Sequence, residues 1–115
     1  MIVSTPEYVL LKLLWDVREA NGRPPSVAPR ELAACLHAMQ QAGAVVYAAR
    51  EVEDLESALG RDLAELESRG FVRWRSAGDT ELTPYGDLVA SALEYPDWMR
   101  DSARAGIHGG FAENS

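Results

Sequence analysis

The decameric stretch Leu63-Ala64-Glu65-Leu66-Glu67-Ser68-Arg69-Gly70-Phe71-Val72 constrains this chain more than any other, together with Leu82-Thr83-Pro84-Tyr85-Gly86, which begins ten residues after Val72. Leucines three apart followed by a glycine describe a helix that ends in a left-handed residue. The residues after Gly70 alternate between apolar and charged, as in a half-buried strand. Ser76-Ala77-Gly78-Asp79 suits a hairpin turn. Thr83-Pro84 then restarts a helix, with threonine as cap and proline in the first turn. The order helix, strand, turn, strand, helix is therefore written into about thirty residues.

Upstream, a first helix is expected over about 5–20. Ser4 or Thr5 can cap it, Pro6 suits its first turn, and Asn21-Gly22 stops it. Lys12, Asp16 and Glu19 form one narrow polar stripe, while Tyr8, Val9, Leu10, Leu11, Leu13, Leu14, Trp15 and Val17 cover nearly everything else. That apolar arc is about twice the ~100° needed to lie on one core. Either the helix is buried centrally, or one side packs on the core and the other on a second subunit. The second alternative is favoured, with Tyr8, Leu11 and Trp15 at a dimer interface, because so small a domain hardly buries a helix all round.

A loop over 22–26 leads to a second helix from about 28 to 43, with Leu32, Cys35, Leu36 and Met39 inward. A third helix is expected over about 50–69, where Val52, Leu55, Leu59, Leu63 and Leu66 make one ridge and Gly60 lies off it. In the strand that follows, Val72 and Trp74 face one way and Phe71, Arg73 and Arg75 the other. A fourth helix continues through Leu88, Val89, Ala92 and Leu93, and Tyr95-Pro96-Asp97-Trp98 breaks it. Residues 1–105 form one domain in this reading, and 106–115 a disordered tail. The fold class is mostly α with a small β-hairpin, α+β.

The helix end carrying Leu63, Leu66, Glu67, Arg69, Gly70, Phe71 and Val72, and the strand end carrying Leu82, Thr83 and Gly86, resemble those of small bacterial winged helix-turn-helix regulators of the MarR and PadR type. The resemblance covers about residues 50–93. It implies a third helix in the major groove of DNA, a hairpin touching the adjacent minor groove, and a dimer formed by terminal helices. The link between the second and third helices is longer than the usual tight turn of this motif.

Charge pulls the other way. The net charge is −7, whereas duplex binding draws most of its affinity from neutralised phosphates. Over 50–69, three arginines face seven carboxylates. Glu51, Glu53 and Asp54 suit a helix N-terminus, but Glu56, Asp62 and Glu65 have no such role. Arg69, Arg73 and Arg75 form a positive cluster on the other side of the balance.

Two functions follow. In the first, a transcriptional regulator binds double-stranded DNA as a homodimer, with Ser57 and Arg61 at base edges and Arg69, Arg73 and Arg75 on phosphates or in a narrow minor groove. In the second, the domain is a protein-interaction module, a phage-type inhibitor or a subunit of a larger nucleic-acid-handling complex. There Asp54, Glu56 and Glu65 engage a basic partner, and Tyr95, Trp98 and Phe111 add aromatic anchors. Both depend on the acidic face of the third helix lying outside the core, and on the ribbon's arginines not being paired off against neighbouring acids.

Catalysis is not expected, since no Gly-rich phosphate loop, nucleophile set or metal cluster is legible. Cys35 is the single cysteine, and with only His37 and His108 it makes no zinc site. Cofactors are expected to be none. No apolar run reaches spanning length and no leader pattern opens the chain, so a cytoplasmic location without membrane contact is expected.

Overall fold

The computed structural model describes residues 6–43, 47, 51–75, 78–95, 97, 99–102 and 104. It is mostly helical with one small antiparallel sheet. In chain order the elements are α1 (Pro6–Ala20), α2 (Pro29–Gln41), α3 (Val52–Ser68), β1 (Val72–Trp74), β2 (Thr80–Leu82) and α4 (Pro84–Ala92). The expected caps Ser4 and Thr5, the residue Arg50, and the tail over 106–115 lie outside the described residues.

Helix α1 is the centre of the domain. Val9, Leu10, Leu11, Leu13, Leu14 and Val17 are all buried, and α2, α3 and α4 pack around them. Even the polar stripe is partly covered. Lys12 pairs with Asp16 at 3.4 Å and lies over the Trp15 ring at 4.4 Å, while the Tyr95 hydroxyl donates to Asp16 at 2.7 Å. The wide apolar arc is thus largely covered within one chain, as in the less favoured alternative of central burial, and does not by itself call for a second subunit. Leu11 is 0% exposed, so it belongs to the core and cannot form a dimer surface. Tyr8 and Trp15 pack partly buried against the same core.

Helix α2 begins at Pro29. Ala28 has no side-chain acceptor, and the Glu31 carboxylate instead accepts the Ala28 N–H at 3.3 Å. Leu55, Leu59, Leu63 and Leu66 of α3 are fully buried and Val52 partly so, as their ridge spacing implies. The helix stops where Gly70 takes φ 82° and the Phe71 N–H returns to the Leu66 carbonyl at 3.0 Å.

The hairpin register pairs Val72 with Leu82, Arg73 with Glu81, and Trp74 with Thr80. Val72, Thr80 and Leu82 form its buried face. The loop before α2, read from sequence only as a connection, also joins the sheet. Val27 and Thr80 exchange both backbone hydrogen bonds at 2.8 Å, and Ser26 donates to Asp79 at 3.3 Å.

The Leu-Thr-Pro-Tyr-Gly segment has a clear physical basis. The Thr83 hydroxyl accepts from the Gly86 N–H at 3.0 Å and donates to the Gly70 carbonyl at 2.6 Å, tying the start of α4 to the end of α3. Gly86 then sits directly against Phe71, where a Cβ would fall 1.8 Å from the carbonyl oxygen. Beyond this turn α4 presents Gly86 and Ala90 inward, and Leu88 stands 70% exposed. Leu93 and Met99 return to the core. No helix among the described residues is long and apolar enough to cross a membrane.

Candidate nucleic-acid interface

The leucine ridge of α3 turns the opposite face outward. Glu53, Asp54, Ser57, Arg61, Glu65 and Ser68 are all exposed there. The acidic face therefore lies outside the core, as both functional readings require. Its hydroxyls are engaged locally: Ser57 donates to the Glu53 carbonyl at 3.2 Å, and Ser68 to the Glu65 carbonyl at 2.7 Å. Arg61 is exposed and forms no ion pair among the described residues.

The other candidate cations are all paired, contrary to the second requirement. Arg69 donates to Glu65 at 3.1 Å, one helical turn back, and that carboxylate holds its guanidinium pKa above the ordinary value. Arg73 and Arg75 share one acid. The Arg73 Nε lies 2.6 Å from Glu81 Oε2, and the Arg75 Nη1 lies 3.2 Å from Glu81 Oε1. The hydrogen bond from Arg73 in particular holds the Glu81 carboxyl below its ordinary range. Glu81 is the residue that the sequence reading missed. Its signal was the hairpin register, because the five residues 75–79 between the strands set Arg73 opposite it.

Glu56, a candidate partner contact, is half-buried and accepts from Arg30 at 3.3 Å; Arg30 also reaches Glu53 at 3.6 Å. These pairs join the first turns of α2 and α3. They leave Asp54 as the exposed acid of that turn with no partner among the described residues. The longer connection between α2 and α3 is pinned at its middle, where the Tyr47 hydroxyl donates to Asp62. Burial first, and then that hydrogen bond, raise the Tyr47 pKa.

Tyr95 is committed to Asp16 and to the core and is not a free aromatic anchor. Trp98 and Phe111 lie outside the described residues. Cys35 is buried, and desolvation pushes its thiol up to about 11. No group of three or more His, Cys, Asp or Glu side chains among the described residues is placed to hold a metal ion.

A different surface emerges between α1 and α4. Trp15, Arg23, Pro84 and Leu88 line an open groove there. Two of its lining carboxylates, Asp87 and Glu19, pair with the largely buried Arg18 at 2.5 and 3.0 Å. Comparison of the chain with protein-family models, curated proteins and solved structures finds no match.

Proposed function

We propose that this chain is a winged helix-turn-helix protein that binds duplex DNA, and that it acts as a transcriptional regulator and not as an enzyme. The observation that carries this reading is connectivity. Three helices are followed by a two-stranded ribbon, and the extended residue Val27 between the first two helices pairs with the ribbon's second strand. An amphipathic third helix with its polar face outward, followed at once by an arginine-bearing ribbon, suits a groove and its flanking phosphates.

Arg61 and Ser57 would then meet base edges, and Arg69, Arg73 and Arg75 phosphates. The expectation that these arginines must stand unpaired is too strict, because an exposed ion pair can exchange its partner. Arg73 and Arg75 are 61% and 47% exposed, and ion pairs at the surface are weak and open to exchange. A homodimer belongs to the same proposal. Its support moves from Leu11 to the groove where Trp15 and the exposed Leu88 come together.

The test is a fluorescence titration of the protein with random duplex fragments at low salt. Binding should weaken steeply as salt rises. Absence of binding below ~100 μM sinks the proposal, because even non-specific duplex binding is typically tighter.

One observation favours a second reading, an acidic protein-interaction module. The wing cations carry bound carboxylates, while Glu53, Asp54, Glu65 and Glu67 stand exposed on α3. In that case Asp54→Arg/Glu65→Arg abolishes partner capture and Arg73→Glu/Arg75→Glu leaves it intact. The reverse pattern excludes this second reading.

A further inference from the structure

The outer face of the ribbon holds two guanidinium groups around a single carboxylate. The antiparallel register sets Glu81 directly across from Arg73. Each carboxylate oxygen serves a different arginine, Oε2 taking Arg73 and Oε1 taking Arg75. Two oxygens of one anion held by two arginines is also how a phosphate would be gripped. Asp79, the other acid of the hairpin, turns its carboxylate to Ser26 instead.

The exposure pattern matters as much as the distances. The Glu81 side chain is 18% exposed, well below either of its arginines. The guanidinium groups therefore present their outer edges to solvent with the carboxylate beneath them. A guanidinium has five N–H donors in a fixed fork. Each arginine here spends one of them on Glu81. A second anion can thus attach before the first departs. With Glu81 in place, the three side chains carry one net positive charge; without it they carry two.

We propose that Glu81 is an internal counter-anion that occupies the ribbon's two-arginine phosphate site and is displaced when a polyanion binds there. It mutes non-specific affinity in a chain whose fold otherwise presents its arginines ready-made. This rests on the DNA-binding function proposed above. The competing account is that Glu81 is a cross-strand pair that only stabilises the hairpin.

Fluorescence anisotropy with a labelled random-sequence duplex between ~50 and ~200 mM salt separates the two. Glu81→Gln keeps the shape and removes the charge. It should bind about tenfold tighter at ~50 mM salt, with a salt slope steeper by about one, as for one added phosphate contact. Glu81→Asp, too short to reach both arginines, should fall between Glu81→Gln and the wild type, and carries the test if Glu81→Gln does not fold. Glu94→Gln, an equal change of charge at an exposed position after α4, should gain much less. Adding Arg73→Gln/Arg75→Gln to Glu81→Gln should abolish the gain.

The proposal is overturned if Glu81→Gln matches Glu94→Gln, or if the gain survives loss of both arginines. If the wild type binds and Arg73→Gln/Arg75→Gln weakens it while Glu81→Gln changes nothing, the counter-anion idea alone falls. If no variant binds below ~100 μM, Glu81→Gln included, the DNA-binding function falls with it.

Discussion

Replacing Gly86 with alanine tests the packing logic of the whole C-terminal half. The added Cβ would lie 1.8 Å from the Phe71 carbonyl oxygen, 2.7 Å from its carbonyl carbon and 3.1 Å from its Cα. All three are backbone atoms, so no side-chain rotation relieves the clash. Ordinary contact requires α4 and Phe71 to part by about 1.5 Å. That movement pulls on the Thr83 cap, whose bonds to Gly86 and Gly70 are 3.0 and 2.6 Å, and on the Phe71 and Tyr85 rings, stacked at 5.1 Å. Overpacking typically costs ~1–3 kcal/mol, and a lost threonine cap ~1 kcal/mol. Alanine returns up to ~1 kcal/mol in helix propensity. The net expectation is a loss of about 1–3 kcal/mol, or a melting temperature lower by about 5–10 °C in a domain of this size. Thermal and urea denaturation followed by circular dichroism measures both. Gly60→Ala is the internal control, because open space surrounds that position in the middle of α3. It should stabilise by about 0.5–1 kcal/mol. If Gly86→Ala is as stable as the wild type, or gains as Gly60→Ala does, the close approach of α4 to Phe71 is refuted.

Three further outcomes follow from buried polar groups. Asp87→Ala leaves the largely buried Arg18 with Glu19 as its one remaining carboxylate and should cost ~1–2 kcal/mol in urea denaturation, less than a fully buried pair because Asp87 is partly exposed. Burial and the Asp16 and Asp62 carboxylates raise the pKa values of Tyr95 and Tyr47 in the fold, so both phenols stay neutral after their unfolded counterparts ionise near ~10. Their contribution is therefore intact below that pH and is lost as pH rises above it; Tyr47→Phe/Tyr95→Phe should flatten the alkaline decline of the urea midpoint. Cys35, buried with its thiol pushed up to about 11, should react with a disulfide reagent at pH ~8 only at the rate of global unfolding. Fast labelling of the native protein would contradict that burial.

Much of the local structure was legible because its causes lie within a few residues. The stop at Gly70 needs only a residue that tolerates positive φ, and the restart at Thr83-Pro84 needs only a cap and a fixed φ. The ridge of Leu55, Leu59, Leu63 and Leu66 follows from helical periodicity alone. The partners of α1 were not legible. An apolar arc states how much surface must be covered, and says nothing of whether one chain or two will cover it. The candidate site divides in the same way. Periodicity set Asp54, Ser57, Arg61 and Glu65 outward, but the role of Glu81 depended on a strand register that the turn length decides.

The amino-acid order by itself determined where helices begin and end, which face of α3 is apolar, and the excess of acid over base. Tertiary structure alone decided that Leu11 is core and Leu88 surface, that Val27 completes the ribbon, and that one carboxylate answers two arginines. The reason is range. Backbone preference acts over one helical turn, whereas burial and ion pairing depend on which distant segments meet.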